Sequence, residues 1–141
     1  MNFMQNKQIY LVAFFSWSGN TRKIDSQINQ LVGGEIFEIH PVKKYPDNYE
    51  EVLAIGKQEI RSGTRPELKE KIYLLEKFDR IFIGYPNWWN TFPAPVLTFL
   101  SENNFKGKTI IPFCTHGGGG IGHSTIDMKR QCPGADITGS F

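Results

Sequence analysis

The chain alternates short apolar runs with segments in which apolar residues recur at helical spacing. The first run, residues 9–15 (IYLVAFF), is continuous, as is typical of a strand buried on both faces of a parallel sheet. Ile24, Ile28 and Leu31 then recur four and three residues apart, which indicates one face of a helix. The glycine pair at 33–34 is expected to end that helix.

The middle of the chain continues this alternation less regularly. Residues 35–39 alternate polar and apolar side chains, which predicts a strand exposed on one face and near a sheet edge. Asp47 is a candidate N-cap for a helix whose apolar residues lie between 49 and 60. The spacing of apolar residues over 68–75 predicts a second, shorter helix.

The last part of the chain is predicted to add three strands and two helices. The strands cover 79–84, 109–114 and 135–138, and the helices cover 94–104 and 124–131. Such an alternation predicts an α/β domain, with a parallel sheet covered by helices on both faces. Ligands of these sheets bind beyond the carboxyl ends of the strands, so the loops after the first, third and fourth strands are the candidate site.

The first of these loops is rich in small hydrogen-bonding side chains. It contains Ser16, Trp17, Ser18, Gly19, Asn20 and Thr21. Unpaired backbone N–H groups at a helix start, with serine and threonine hydroxyls beside them, form a site for an anion such as a phosphate. The alternative is that Ser18 or Asn20 only caps the helix.

The second loop concentrates aromatic rings where the third strand should emerge from the sheet. It reads YPNWWNTFP over residues 85–93. Large rings at this place can stack on a planar ligand. The alternative is that Trp88 and Trp89 cover the core or a dimer contact, and for at least one of them we favour that interpretation.

The third loop follows the fourth strand and is dominated by glycine, reading THGGGGIG over residues 115–122. Glycines let the backbone approach a ligand closely and permit positive φ. Backbone donors of this loop could therefore reach a ring system held by the second loop. Its position at the end of a predicted strand favours a binding role over a solvent loop.

Composition narrows the classes of function. A chain of 141 residues, 40% hydrophobic, has the size of one domain over 1–141, and a formal charge of +2 without a basic run gives no support for nucleic-acid binding. No apolar stretch is long enough for a membrane span or a signal peptide, so we expect a cytoplasmic protein. Cys114 and Cys132 have no metal-binding spacing, and we expect reduced thiols.

The segments FFSWSGNT, GYPNWWNTFPAPV and CTHGGGGIG together resemble the flavodoxins, and more narrowly the bacterial flavodoxin-like proteins with a tryptophan pair in the second loop. The resemblance implies a three-layer sandwich with strand order 2-1-3-4-5 and non-covalently bound FMN that transfers electrons without a catalytic side chain. In the first loop it assigns Ser16, Trp17, Ser18, Gly19, Asn20 and Thr21 to the cofactor, mainly around the phosphate. At the isoalloxazine it assigns Pro86, Asn87, Trp88, Trp89 and Asn90, with Thr115, His116, Gly117, Gly118 and Gly122 at the other edge.

Two features depart from the family pattern. Relatives often carry glycine where this chain has Asn90, and asparagine is the next most tolerant residue at positive φ. A redox-linked flip of the backbone at this position is therefore in doubt. Flavodoxins also end with a helix after the fifth strand, whereas this sequence stops at Phe141. We expect a truncated form, with the terminal helix missing and one sheet face partly uncovered; the alternative is a helix supplied by another subunit.

Several functions stay open at this point. The basic balance differs from the acidic surface of electron carriers, so an NAD(P)H-dependent FMN reductase acting on quinones or similar acceptors is the main alternative to a shuttle between redox partner proteins. A non-catalytic module that grips a partner through the aromatic loop is the alternative from a different class, and a homodimer is a further alternative. His116-Gly117-Gly118-Gly119 resembles an esterase oxyanion loop, but the nucleophile elbow is missing.

Overall fold

The computed structural model describes residues 10–18, 20–73, 75–116 and 120–139, and a parallel sheet forms its centre. Its five strands are β1 (Tyr10–Phe14), β2 (Glu35–Glu38), β3 (Arg80–Pro86), β4 (Thr109–Thr115) and β5 (Asp136–Ile137). They pair in the order β2-β1-β3-β4-β5, and every neighbouring pair is parallel. The predicted fold class and strand order are therefore confirmed.

Helices cover both faces of this sheet. They are α1 (Asn20–Val32), α2 (Tyr49–Ser62), α3 (Ala94–Glu102) and α4 (Ser124–Gln131). Ile28 of α1 belongs to a core cluster on one face, whereas Val52 of α2, Phe99 of α3 and Met128 of α4 belong to the cluster on the other face. The three predicted layers are thus present, with α1 opposite the other three helices.

The strand β1 shows why its apolar run is continuous. Leu11 and Ala13 pack into the α2–α4 cluster, while Val12 and Phe14 pack into the α1 cluster, and all four are at most 2% exposed. Successive side chains of a strand point to opposite faces, so a strand covered on both sides needs apolar residues at every position. Strand β2 lies at the sheet edge, as its alternating pattern predicted.

The N-terminal cap of α2 differs from the prediction by one residue. Asn48, not Asp47, has the extended backbone of an N-cap, and its side-chain oxygen accepts a hydrogen bond from the backbone N–H of Glu51 at 3.0 Å. Asn and Asp cap helices about equally well, so sequence alone does not choose between neighbours. The helix ends at Ser62, where Gly63 takes the left-handed conformation of a C-cap.

The prediction of a second helix over 68–75 is wrong. Leu68 pairs with Pro41 in an antiparallel bridge, flanked by backbone bonds from Val42 to Glu67 and from Lys69 to His40. Only a single 3₁₀ turn, residues 75–77, follows among the described residues. Leu68 is buried from an extended backbone and Leu75 from the 3₁₀ turn, whereas Tyr73 is exposed.

Within the described residues, no helix combines the length and the apolar composition needed to cross a bilayer.

Candidate functional site

The three loops singled out in the sequence leave the sheet side by side. Phe14 at the end of β1 is paired with Gly84 of β3, and Pro86 at the end of β3 is paired with Thr115 at the end of β4. The backbone N–H of Phe15 continues this pairing with a 2.9 Å bond to the Gly84 carbonyl. The loops after β1, β3 and β4 therefore meet at one edge of the sheet, as predicted.

The first loop leads directly into α1. Ser16 is half-buried and Ser18 is exposed, and α1 begins at Asn20, so the backbone of Asn20 and Thr21 forms its first turn. The indole of Trp17 donates to the Pro46 carbonyl at 3.0 Å and lies against the ring of Tyr49, with 6.2 Å between ring centroids. Gly19 lies outside the described residues.

The second loop contains a tight hairpin. The backbones of Trp88 and Thr91 exchange two hydrogen bonds, of 2.9 and 3.1 Å, and the two residues between them both have positive φ, 54° for Trp89 and 67° for Asn90. Positive φ at both central positions is the pattern of a type I′ turn. Asparagine is among the residues that tolerate this conformation, whereas positive φ is unusual for a residue as bulky as tryptophan.

Asn87 connects this hairpin to the third loop. Its backbone N–H bonds the Thr115 carbonyl at 2.8 Å, and its side-chain amide donates to the Gly120 carbonyl at 2.7 Å. The side-chain oxygen of Asn87 accepts the backbone N–H of Asn90 at 2.9 Å. One side chain thus sets the spacing of two loops and the direction of a backbone N–H group. The preceding residue, Pro86, is half-buried at the end of β3.

The two adjacent tryptophans have different environments, one in the core and one on the surface. The ring of Trp88 is 8% exposed and meets Phe15 and Tyr45 edge to face, at 5.6 and 5.2 Å between centroids. Trp89 is 43% exposed; its indole donates to the Leu53 carbonyl at 2.9 Å, and the Lys57 ammonium lies 4.9 Å above its ring. The interpretation of at least one tryptophan as a core residue holds for Trp88.

The third loop packs tightly on the hairpin. The backbone N–H of His123 donates to the Asn90 carbonyl at 2.7 Å. A Cβ atom placed on Gly122, which has a φ of 58°, would lie 2.3 Å from that carbonyl oxygen. Of the other predicted residues, Thr115 is half-buried and His116 exposed, while Gly117 and Gly118 lie outside the described residues.

A side chain on α4 also takes part in the site, and sequence analysis missed it. The Oδ2 atom of Asp127 lies 2.5 Å from Thr91 Oγ1 and 2.6 Å from His123 Nδ1. The spacing of His123 and Asp127, four residues apart, is the available sequence signal, because such residues share a helix face. The link to Thr91 spans 36 positions and has no such signal.

Cys114 near the end of β4 and Cys132 just after α4 are buried free thiols. Burial raises the pKa of each to about 11, so roughly one thiol in a thousand is ionised at pH 8. We therefore expect neither cysteine to react with iodoacetamide at pH 8 until the protein unfolds, as mass spectrometry would show. Because the raised pKa means that the folded state retains protons that the unfolded state loses, these thiols should also lower stability as the pH rises from about 9 to 11.

The donor chemistry of this edge fits a phosphorylated ring system such as FMN. The first turn of α1 supplies backbone N–H groups that point out of the helix start, with the Ser16 and Ser18 hydroxyls in the same loop. The second loop adds an exposed aromatic ring and a hairpin backbone, and Gly122 leaves no side chain between that hairpin and the third loop. Anion donors and ring-binding surfaces are thus on adjacent loops.

The fold and these three loops define a flavodoxin-like α/β domain. The sequence profile described as flavodoxin matches residues 9–140, so the chain belongs to the flavodoxin family. No protein with a curated description matches the sequence at a significant level.

Solved structures give the same result. A candidate flavoprotein from Bacteroides uniformis is 32% identical, with a TM-score of 0.87 over 96% of this chain and 89% of that protein. A second candidate flavoprotein, from Bacteroides eggerthii, is 31% identical, with a TM-score of 0.83 over 94% and 86%. A flavoprotein from Lactobacillus acidophilus solved in complex with FMN is 21% identical and shares the fold, with a TM-score of 0.82 over 94% and 91%.

Proposed function

We propose that this chain binds FMN between the three loops and exchanges electrons through it with a redox partner protein or a small-molecule acceptor. The observation that carries the proposal is the meeting of an anion-binding helix start with a preformed hairpin at the carboxyl ends of β1 and β3. Family membership and the FMN complex of the Lactobacillus acidophilus flavoprotein support it.

In this proposal the three loops have separate tasks. The first turn of α1 and the Ser16 and Ser18 hydroxyls would hold the phosphate. Asn87, Trp89 and the backbone of the hairpin would fix the ring, and the third loop would close its other edge. Bound FMN would supply the electron-transfer chemistry, so the chain needs to orient it and exclude water rather than provide a catalytic side chain.

The test is a flavin titration of the purified chain, followed by absorption and by quenching of flavin fluorescence. We expect FMN to stay bound after removal of the excess. Ser18→Ala should weaken FMN binding about tenfold, because it removes a charge-assisted hydrogen bond, and should leave riboflavin binding unchanged because riboflavin has no phosphate. Ser62→Ala, at the exposed end of α2, is the matched control and should change neither. A wild-type chain that binds no flavin even at saturating FMN would overturn the proposal.

The same sample separates the two redox roles. Acidic electron carriers attract basic partner proteins, whereas this chain has a formal charge of +2 and would attract an acidic partner or an anionic reductant. This favours an NAD(P)H-dependent reductase as the second candidate. The fold is shared with an NADH:FMN oxidoreductase at 16% identity and a TM-score of 0.54. Rapid bleaching of the flavin by NADH or NADPH without another protein would identify a reductase. Bleaching that requires a partner protein would identify a shuttle.

A further inference from the structure

Asp127 lies outside the three loops, and one of its carboxylate oxygens forms hydrogen bonds with side chains at two of them. Asp127 lies in the first turn of α4, and its Oδ2 meets the Thr91 hydroxyl of the second loop and the His123 ring at the end of the third. Because a carboxylate can only accept, Thr91 donates, and a neutral His123 must carry its proton on Nδ1. Thr91 is 4% exposed, so its bond to a charged group is largely shielded from water.

The backbones of the same two residues hold Asn90. His123 donates its N–H to the Asn90 carbonyl, and Thr91 closes the hairpin on Trp88. The N–H of Asn90 is already bonded to Asn87. Both backbone polar groups of Asn90 are therefore used within the chain. In the part of the chain that the structure describes, no group donates to the neighbouring Trp89 carbonyl.

We propose that Asp127 is a positioning residue of the flavin site. Its carboxylate fixes Thr91 and His123 relative to each other and through them sets the direction of the peptide group between Trp89 and Asn90. The N–H of that peptide is bonded to Asn87, which leaves its carbonyl to accept a hydrogen bond from a donor on the ligand. The inference rests on the proposed FMN function and extends it to a residue outside the three loops.

This arrangement also accounts for the unusual hairpin. Positive φ at Trp89 is a strained conformation, and such strain persists only where the surroundings over-determine it. Here the restraints come from three directions, namely Asn87, the Leu53 carbonyl and the pair held by Asp127. The hairpin is thus set before any ligand arrives, and turning the peptide between Trp89 and Asn90 would have to break the bond from the Asn90 N–H to Asn87.

The test compares Asp127→Ala and Asp127→Asn in the full chain. Alanine removes both hydrogen bonds, so we expect FMN to bind about tenfold more weakly, equivalent to about 1.4 kcal/mol. We also expect a lower midpoint potential, because reduced flavin should lose more binding than oxidised flavin when the carbonyl moves. The amide oxygen of asparagine can accept from both Thr91 Oγ1 and His123 Nδ1, as the carboxylate oxygen does, so Asp127→Asn should restore most of the affinity and potential.

A purely structural role is the competing explanation, since an acidic residue in the first turn stabilises a helix. Glu50→Ala is the matched control, because it removes an exposed first-turn acid from α2. It should lower the melting temperature without changing the potential. Asp127→Ala with wild-type affinity and potential would overturn the inference.

A measurement without FMN keeps the two proposals distinguishable. Nitrogen-15 NMR should show neutral His123 protonated on Nδ1 in the wild-type chain, and this tautomer should be lost in Asp127→Ala. If the wild-type chain binds no FMN, the proposed function fails and this inference fails with it, whatever the tautomer. If FMN binds but the tautomer and the potential do not respond to Asp127, only the inference fails.

Discussion

Gly122→Ala is expected to weaken FMN binding by at least about thirtyfold, or roughly 2 kcal/mol. The new Cβ would lie 2.3 Å from the Asn90 carbonyl oxygen and 2.6 Å from its carbonyl carbon. Both atoms belong to backbone, so neither can move without shifting the hairpin of the second loop. Isothermal calorimetry of FMN binding, together with urea unfolding of the flavin-free protein, would measure the effect.

Gly120→Ala is the matched control for this experiment. Gly120 also has positive φ, at 70°, but a Cβ placed on it meets nothing within 4 Å. Alanine there carries only the cost of the left-handed conformation, about 1 kcal/mol of folding stability, which Gly122→Ala carries as well. The difference between the variants therefore isolates the contact between the two loops. Equal losses of affinity would show that this contact does not shape the site.

The sheet could be predicted because burial on two faces leaves a strong pattern. β1 and β3 consist almost wholly of apolar residues, and glycines end α1 and α2 where the chain must turn. The meeting of the three loops then follows from the geometry of a parallel sheet, since carboxyl ends of adjacent strands share an edge. Position in the fold, more than composition, made the candidate site predictable.

The segment 68–75 shows where periodicity fails. Apolar residues at intervals of four and three fit a helix, but a segment that reaches the core at a few points can carry the same spacing. Leu68 is buried because its strand-like backbone pairs with Pro41, 27 positions earlier. No local pattern records a partner at that distance.

The contacts within the site could not be predicted for the same reason, because they join residues far apart in the sequence. The family resemblance assigns Asn87 to the flavin ring, whereas its bonds to Gly120 and Asn90 result from how two loops pack. In the sequence, Asp127 is only an acidic residue in the first part of a predicted helix. Only the approach of α4 to the second loop brings its carboxylate to Thr91.

Trp88→Ala is expected to destabilise the fold by about 3 to 5 kcal/mol, a large fraction of the stability of a domain this size. The ring fills the space between Phe15, Tyr45 and α2. Helix α2 lies so close to it that a Cβ on Gly56 would be 3.1 Å from the indole. Urea unfolding followed by circular dichroism at 222 nm measures the loss without relying on tryptophan emission.

Trp89→Ala supplies the comparison, because the same side chain is removed one residue later. It loses the bond to Leu53 and the Lys57 contact on a largely open surface, so we expect at most about 1 kcal/mol of destabilisation. If Trp89 lines the flavin ring as the family resemblance implies, its removal should weaken FMN binding more than it weakens folding. Equal destabilisation by the two substitutions would contradict the assignment of Trp88 to the core and Trp89 to the surface. The turn accounts for this difference between the two tryptophans. Positive φ at Trp89 directs its ring onto the surface of α2, whereas Trp88 is still paired with Thr91 and remains in the core.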